Sequence, residues 1–406
     1  MTVNVSGGGG VPPKKSPVAL RRRAAPVDVP ATQNADGRAA TVEVVAGEKL
    51  VIEAPRPFRP GALGWLARGL VLAAVAALVL VFPLSRDGVD VSKFNQAVVY
   101  AIIGLSLNVL LGYTGQISLG HQAFVGIGAF TSAFMVSVHG QPFFVAIGVA
   151  MIVGALQALM LGAVSLRITG LYFALVTLAY GTMAEESLFN IQALTGGSAG
   201  RPAPKPAAFA SDYRYYYLCL LFLALVIWVD WRMMSTKGGR ALSALRENPR
   251  VAATFGTDVK VYTLMAFMVA GAFAGLGGAL LAHNDTFVVR DIFNFQLALV
   301  FVIMTVVGGL RSRTGVVIGS AFFSLIPFFF DKFDLAGKVN ALPLLPVLPK
   351  DYAGIVIGPL LLLFTLTVHP GGVGQQIRPI QRWLRGGRFS LHGAVETEVK
   401  VSDVRA

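Results

Sequence analysis

The chain is poor in cysteine and in charged residues, and each shortage excludes a class of protein. Cys219 is the only cysteine among 406 residues, so neither an internal disulfide nor a paired-cysteine metal or redox motif can form. Charged residues make up 14% of the chain, whereas hydrophobic residues make up 55% and the mean hydropathy is +0.66. Soluble domains rarely combine these values. The composition therefore predicts an all-α, polytopic transmembrane helical bundle.

Sequence motifs for nucleotide and metal chemistry are also missing. No GxxxxGK[ST] P-loop occurs, so the chain is not expected to hydrolyse nucleotide. The five histidines are scattered, and no HExxH or other metal-ligand spacing occurs. Ser118 and His121 are three residues apart, but they lack both a GxSxG elbow and an acidic partner. We therefore expect no catalytic residue, no metal and no cofactor in this chain.

Long apolar segments are what the sequence has in abundance. A spanning helix needs about 20 mostly apolar residues, and ten segments approach this length and composition. They are residues 65–84, 94–112, 117–137, 142–165, 170–191, 215–231, 261–282, 293–310, 314–330 and 352–368. In the seventh segment, Gly271 and Gly275 form a GxxxG motif, which predicts close packing of helix backbones.

The positions of basic residues predict how these spans are oriented. The loop 232–260 holds six lysines and arginines against only two acidic residues. The positive-inside rule places this loop in the cytoplasm, and an even number of spans then places both termini there. The net charge of +13 falls mostly in tails and loops, so we do not expect a nucleic-acid partner.

Composition divides the chain into three regions. Residues 1–62 are rich in glycine, proline and polar residues, and their composition predicts a disordered cytoplasmic tail. Residues 63–370 form the predicted transmembrane domain. Residues 371–406 are predicted to be a cytoplasmic C-terminal tail.

A glycine-rich polar segment, Gly112 to His121, interrupts the apolar sequence between the second and third spans. Backbone at membrane depth can leave the helix only where protein or a water-filled cavity supplies hydrogen bonds. We therefore take Asn108, Gln116, Ser118 and His121 as candidates for the lining of a transport pathway. The alternative is a tight turn between helices with a hydrogen-bonded histidine at its end.

Glu185 and Glu186 lie in the outer half of the fifth predicted span. An ionisable residue inside a membrane indicates a functional site because burying its charge is costly. The pair is therefore also a pathway candidate. The alternative is a position at the outer interface, where water solvates both carboxylates.

The loop 232–260 is predicted to contain two short helices. An amphipathic helix follows Lys237 and is broken at Asn248 by Pro249. A second helix, Arg250 to Phe255, is expected to end at Gly256. Such an elbow suits docking into the groove of a partner protein, although it could also lie on the lipid surface.

Four blocks of sequence resemble the LivM-type permeases of bacterial branched-chain amino-acid ABC importers. They read LNVLLGYTGQISLGHQAFVGIGAF, LRITGLYFALVTLAYGTMAEESLFN, GRALSALRENPRVAATFGTDVKVYTLMAFMVAGAFAGLGGAL and VVGGLRSRTGVVIGS. Together they cover most of residues 95–370, in order. Two departures stand out in the last block, where Arg311 replaces a usual glycine and Val316 a frequent proline.

The resemblance implies one permease subunit of an ABC transporter in the bacterial cell membrane. The implied partners are a second homologous permease, two ATP-binding cassette subunits that hydrolyse ATP, an extracytoplasmic substrate-binding protein and membrane lipid. The implied substrates are branched-chain or related amino acids. A urea or short-chain amide permease is a close alternative, and an ion-coupled secondary transporter is a more distant one.

The resemblance also assigns roles to individual positions. The residues that fall on or just before the ATPase-contacting motif belong to the loop 232–260. They are Arg240, Arg246, Glu247, Asn248, Ala252, Ala253 and Gly256.

Overall fold

The computed structural model describes residues 32–33, 39–45, 48–52, 62–81, 88–332 and 372–384. The chain divides into two compact units. One comprises residues 1–58 and 392–406, and the other comprises residues 59–391.

The first unit contains a small antiparallel sheet where the sequence predicted a disordered tail. Strands β1 (Thr32–Gln33), β2 (Ala39–Val45) and β3 (Glu48–Ile52) pair in that order. In β2 and β3 most residues are β-branched or alternate between apolar and polar, and two residues separate the strands, as in a hairpin. The average composition of residues 1–62 concealed this local pattern. The rest of that predicted tail lies outside the described residues.

The second unit is a helical bundle. Its helices are α1 (Ala62–Val81), α2 (Gly88–Leu107), α3 (His121–Ser137), α4 (Phe143–Ser165), α5 (Leu171–Glu186), α6 (Gln192–Thr195), α7 (Asp212–Ser235), α8 (Lys237–Glu247), α9 (Pro249–Thr254), α10 (Val259–Asp285), α11 (Phe295–Gly308), α12 (Arg313–Lys332) and α13 (Gly372–Leu384). A π-helix, Asn108–Thr114, continues α2.

Helices occupy each of the first nine predicted spans, and the tenth, 352–368, lies outside the described residues. Five of the described helices are long and apolar enough to cross a membrane: α1, α2 with its π-helix, α4, α7 and α10. Among the other helices at predicted spans, α11 has only 14 residues. Helical membrane architecture is confirmed, while the count of ten crossings stays a prediction.

Glycines bring the central helices of the bundle into close contact. Helix α10 packs against α2, α3 and α4. A Cβ atom added to Gly271 would collide with the carbonyl of Gly154, and one on Gly275 would collide with that of Ala150. The GxxxG prediction of close backbone approach is therefore confirmed.

The bundle has two distinct ends. The basic end carries residues 236–258, the turn 309–312 and α13. The opposite end carries residues 187–211 and 286–294, where β4 (Arg201–Pro202) pairs with β5 (Phe287–Val288).

Helix α13 lies within the predicted C-terminal tail but packs against α11 and α12. A Cβ on Gly374 would collide with Ser312, so the approach requires this small residue. The bundle unit accordingly extends beyond the boundary expected at residue 370, because Gly374 allows α13 to pack closely.

Candidate functional site

The predicted break in the second and third spans is present, although it begins later than expected. The π-helix ends at Thr114, and the φ of 72° and ψ of 14° of the next residue, Gly115, are left-handed. The N–H of Gln116 then donates to the carbonyl of Leu110 at 3.0 Å, which closes the helix end. Residues 115–120 are non-helical, and α3 begins at His121.

Helix α3 is short for a spanning segment. Its 17 residues give a length of about 25 Å at 1.5 Å per residue, whereas a bilayer core is about 30 Å thick. If α3 crosses a bilayer, part of the crossing therefore falls on the irregular residues beside it, 115–120 or 138–142. Backbone in that position needs internal hydrogen-bond partners.

The loop at the basic end folds as the two short helices that the sequence predicted. Pro249 starts α9, and the side chain of Asn248 caps it by accepting the N–H groups of Arg250 and Val251 at 3.0 and 3.2 Å. Gly256 follows with a φ of 79°. Of the other residues that resemblance assigned to this loop, Ala252 is buried, whereas Arg240 and Ala253 are exposed.

Arg246 joins this loop to the helix break. Its Nη1 donates to the carbonyl of Gly112 and lies 3.5 Å from the carbonyl of Leu111. These carbonyls lie near the end of the π-helix, where helical partners run out. Burial lowers the pKa of Arg246, Arg311 lowers it further and Glu247 raises it. A loop residue therefore caps the interrupted helix.

Arg311, at the position where resemblance expects glycine, also contacts both elements. Its φ is 68°, in the left-handed region. Its N–H donates to the Oδ1 of Asn108 at 2.9 Å, and its guanidinium lies 3.6 Å from the carboxylate of Glu247. The turn 309–312 thus contacts the π-helix through Asn108 and α8 through Glu247.

A buried acid that sequence reasoning missed completes the network. Asp230, fully buried on α7, accepts the hydroxyl of Tyr113 at 3.0 Å and forms an ion pair with Arg313. The signal in the sequence was an aspartate inside a predicted apolar span. Asp230 therefore joins α7, the π-helix and α12.

The polar side chains that follow the break are buried. Ser118 and His121 are 1% and 0% exposed, and Gln116 is half-buried. The Nε2 of His121 lies 3.0 Å from the Oγ of Ser106. Helix α5 lies against this turn and accepts a hydrogen bond from it, from the N–H of Leu119 to the Oγ1 of Thr177.

The structure does not bring the glutamate pair to the break. Glu185 is half-buried near the end of α5. Glu186 is exposed and its backbone carbonyl accepts from Asn190. The pair lies at the opposite end, which fits the interfacial alternative.

Residues 91–365 match the family described as branched-chain amino acid transport system / permease component. The chain is 30% identical over 279 residues to the high-affinity branched-chain amino acid transport system permease protein LivM of Escherichia coli, covering 62% of this chain and 65% of that protein. It is 24% identical over 319 residues to a probable LivM of Methanocaldococcus jannaschii, covering 68% and 90%.

A further relative has a different named substrate. The guanosine ABC transporter permease protein NupQ of Bacillus subtilis is 26% identical over 198 residues, covering 42% of this chain and 60% of that protein. The chain thus spans just under two thirds of the length of the Escherichia coli relative. No solved structure matches.

Proposed function

Because the chain belongs to the branched-chain amino acid transport permease family, we propose that it is the permease subunit of an ABC importer for branched-chain or related amino acids. It is an integral membrane protein of the cell membrane. The observation that supports the proposal most directly is the contact of Arg246 with the interrupted helix. This contact joins a docking-type loop to irregular backbone that borders a solute route.

The finer features of the proposal follow from charge and length. Ten spans with both termini in the cytoplasm would place the basic end on the cytoplasmic side. Two ATPase subunits would then contact α8 and α9, and a homologous permease would complete the pathway. At the opposite end, an open depression of about 640 Å³ is lined by residues that include Pro204, Lys205 and Thr286. It would face a substrate-binding protein.

Co-purification and uptake test the proposal. Membranes containing the full transporter should accumulate labelled L-leucine, and an ATPase subunit should purify with this chain. Depletion of ATP should abolish uptake, while an ionophore should leave the initial rate unchanged. Uptake that follows the ion gradient would instead identify a secondary transporter. Competition by valine, urea and guanosine would separate the substrate classes named by relatives and by resemblance.

The docking loop can be tested at Gly256. Gly256→Ala places a side chain on a residue with a φ of 79°, which distorts the end of α9. We expect loss of coupling between ATP hydrolysis and uptake with normal amounts of protein in the membrane. Gly140→Ala is the matched control, because Gly140 has a φ of 60° and open space around it at the opposite end. Equal effects of both substitutions would contradict the docking role.

A further inference from the structure

The turn that enters α3 buries polar atoms for which the described part of the chain shows no hydrogen-bond partner. They are the Oγ of Ser118, the Nδ1 of His121 and both amide atoms of Gln122. All three residues are at most 1% exposed. An unpaired polar group in an apolar interior destabilises the protein, and no solvent in a bilayer core compensates for it. Three such residues within five positions indicate a site that is occupied in another state.

The tautomer of His121 follows from its neighbour. The hydroxyl of Ser106 has one proton and donates it to the carbonyl of Ala270 at 2.6 Å. The contact between this hydroxyl and the Nε2 of His121 at 3.0 Å therefore requires the histidine to donate. The Nδ1 is then unprotonated, and it is a buried acceptor to which none of the described residues donates.

The same turn offers donors to an anion. Helix α3 starts at His121, and Gly120 before it supplies no side-chain cap. The N-terminus of a helix favours negative charge. The hydroxyl of Ser118 and the amide of Gln122 add two donors beside it. The N–H of Leu119 already bonds the Oγ1 of Thr177 at 3.0 Å, so an oxygen atom from α5 occupies one donor of the turn.

Helix α5 covers the turn through close contacts. A Cβ on Gly120 would collide with the carbonyl of Thr177, and one on Gly181 would lie 2.9 Å from the Cα of Gly120. The outer face of α5 is exposed, with Leu171 and Tyr172 at 72% and 74%. Displacement of α5 would uncover the turn, and within the described part of the chain this face makes few packing contacts that would resist such movement.

We propose that Ser118, His121 and Gln122 form a binding site for the charged groups of an α-amino acid, opened by displacement of α5. The carboxylate accepts from Ser118, Gln122 and the N-terminal amides of α3, and the ammonium group donates to the Nδ1 of His121. The inference rests on the proposed transport function and identifies where this chain contacts the substrate. It assigns a role to Gln122, which the resemblance left without one.

Thiol labelling tests the site in the assembled transporter. In a Cys219→Ala background, which removes the only native cysteine, Ser118→Cys should be unreactive to a small methanethiosulfonate at rest. It should react during ATP turnover, and L-leucine should protect it. L-leucinamide keeps the ammonium group but lacks the carboxylate, so it should not protect. Ser132→Cys is the control, because Ser132 is equally buried on α3 but is bonded to His283.

Replacement of Gln122 supplies a second measurement. Gln122→Leu should raise the L-leucine concentration needed for protection about ten-fold or more, as expected for loss of a hydrogen bond to a charged group. If Ser118→Cys does not accumulate in the membrane, Gln122→Cys replaces it in the labelling experiment.

Three results would overturn the site: labelling that never exceeds that of Ser132→Cys, no protection by L-leucine, or equal protection by L-leucinamide. Wild-type uptake of L-leucine is measured separately. Intact ATP-driven uptake with any of these three results would refute the site alone, whereas absent uptake would refute the proposed function.

Discussion

Charged side chains at the two ends of the bundle differ in how many residues of the chain separate them from their bonding partners. At the basic end, Arg246 contacts a carbonyl 134 residues away and Asp230 a hydroxyl 117 residues away. At the opposite end, Arg201 bonds carbonyls 7 and 8 residues away, and the Lys205 ion pair also spans 7 residues.

This difference separates two physical roles. Local bonds stabilise the connection in which they lie, and their loss affects little else. Long-range bonds join elements that could otherwise move separately, so displacement of one element changes the position of the other. An exposed bond between Arg290 and Asn190, 100 residues apart, is an exception at the opposite end. The basic end is therefore where movement of a loop would reach the interrupted helix.

The largest expected difference between the ends concerns their ion pairs. Asp230→Ala leaves Arg313 without its carboxylate and Tyr113 without its acceptor, which should lower the free energy of unfolding by about 3–5 kcal/mol. Asp212→Ala breaks a pair whose members are 11% and 28% exposed, so neither is fully buried as Asp230 is. It should therefore cost less than Asp230→Ala. Thermal unfolding in detergent measures both. Similar losses would show that burial does not distinguish the two ends.

One arginine at each end donates to backbone carbonyls, so replacing each of them compares the effect of the two ends on transport. Arg246→Gln should reduce L-leucine uptake per ATP hydrolysed about ten-fold, because the loss of a charge-assisted bond is worth about 1.5–3 kcal/mol. Arg201→Gln removes bonds to the carbonyls of Ala193 and Leu194 and should leave this ratio unchanged. Both are measured in vesicles with matched protein amounts. An unchanged ratio for Arg246→Gln would contradict its coupling role.

The next smaller difference concerns the free energy of unfolding that is lost when the histidine of each buried serine–histidine pair is replaced. His283 donates from Nδ1 to the carbonyl of Pro204 at 2.8 Å, so its Nε2 accepts from Ser132 at 2.9 Å. His121 is the opposite tautomer, protonated on Nε2. Nitrogen NMR of the labelled rings should resolve the two forms. His283→Phe should lower the free energy of unfolding by about 1–3 kcal/mol, because it leaves both the carbonyl of Pro204 and the hydroxyl of Ser132 without a partner. His121→Phe should cost less. Equal costs would contradict the assignment of opposite tautomers.

The smallest expected effect concerns two residues with left-handed backbone. Thr286→Gly, at a φ of 60°, should stabilise the protein by about 0.5–1 kcal/mol because glycine adopts this conformation without strain. Arg311→Gly relieves the same strain but loses the exposed ion pair with Glu247, so its net effect should be closer to zero. Chemical denaturation measures both. A larger gain at Arg311 would show that the ion pair contributes nothing.

The agreement between sequence and structure was closest where one local pattern dominated. Pro249 after Asn248 fixed the start of α9, and the glycines near the π-helix marked a real departure from the helix. The late start of the break was not predictable, because Gly112 and Thr114 are typical of a turn in the sequence but still lie within the π-helix. The strands within residues 32–52 were missed because the composition of the long tail was averaged.

The candidate site was predicted only in part. Ser118 and His121 were identified because polar residues are unexpected on an apolar span. Asp230 was missed because it appears as a single aspartate in a predicted apolar span, and Gln122 because it directly follows the segment, Gly112 to His121, from which the candidates were taken. The importance of Asp230 depends on partners far along the chain, and that of Gln122 depends on its having no hydrogen-bond partner among the described residues.

The sequence alone determined that this protein lies in a membrane, that it is helical and to which family it belongs. Long apolar segments and local motifs are properties of contiguous residues. Tertiary structure decided which polar groups meet. Arg246 reaches the π-helix, Asp230 joins three elements and α5 covers the turn at Ser118 only because folding brings together segments separated by tens to more than a hundred residues. Hydrogen-bond satisfaction, on which the proposed site depends, exists only in that arrangement.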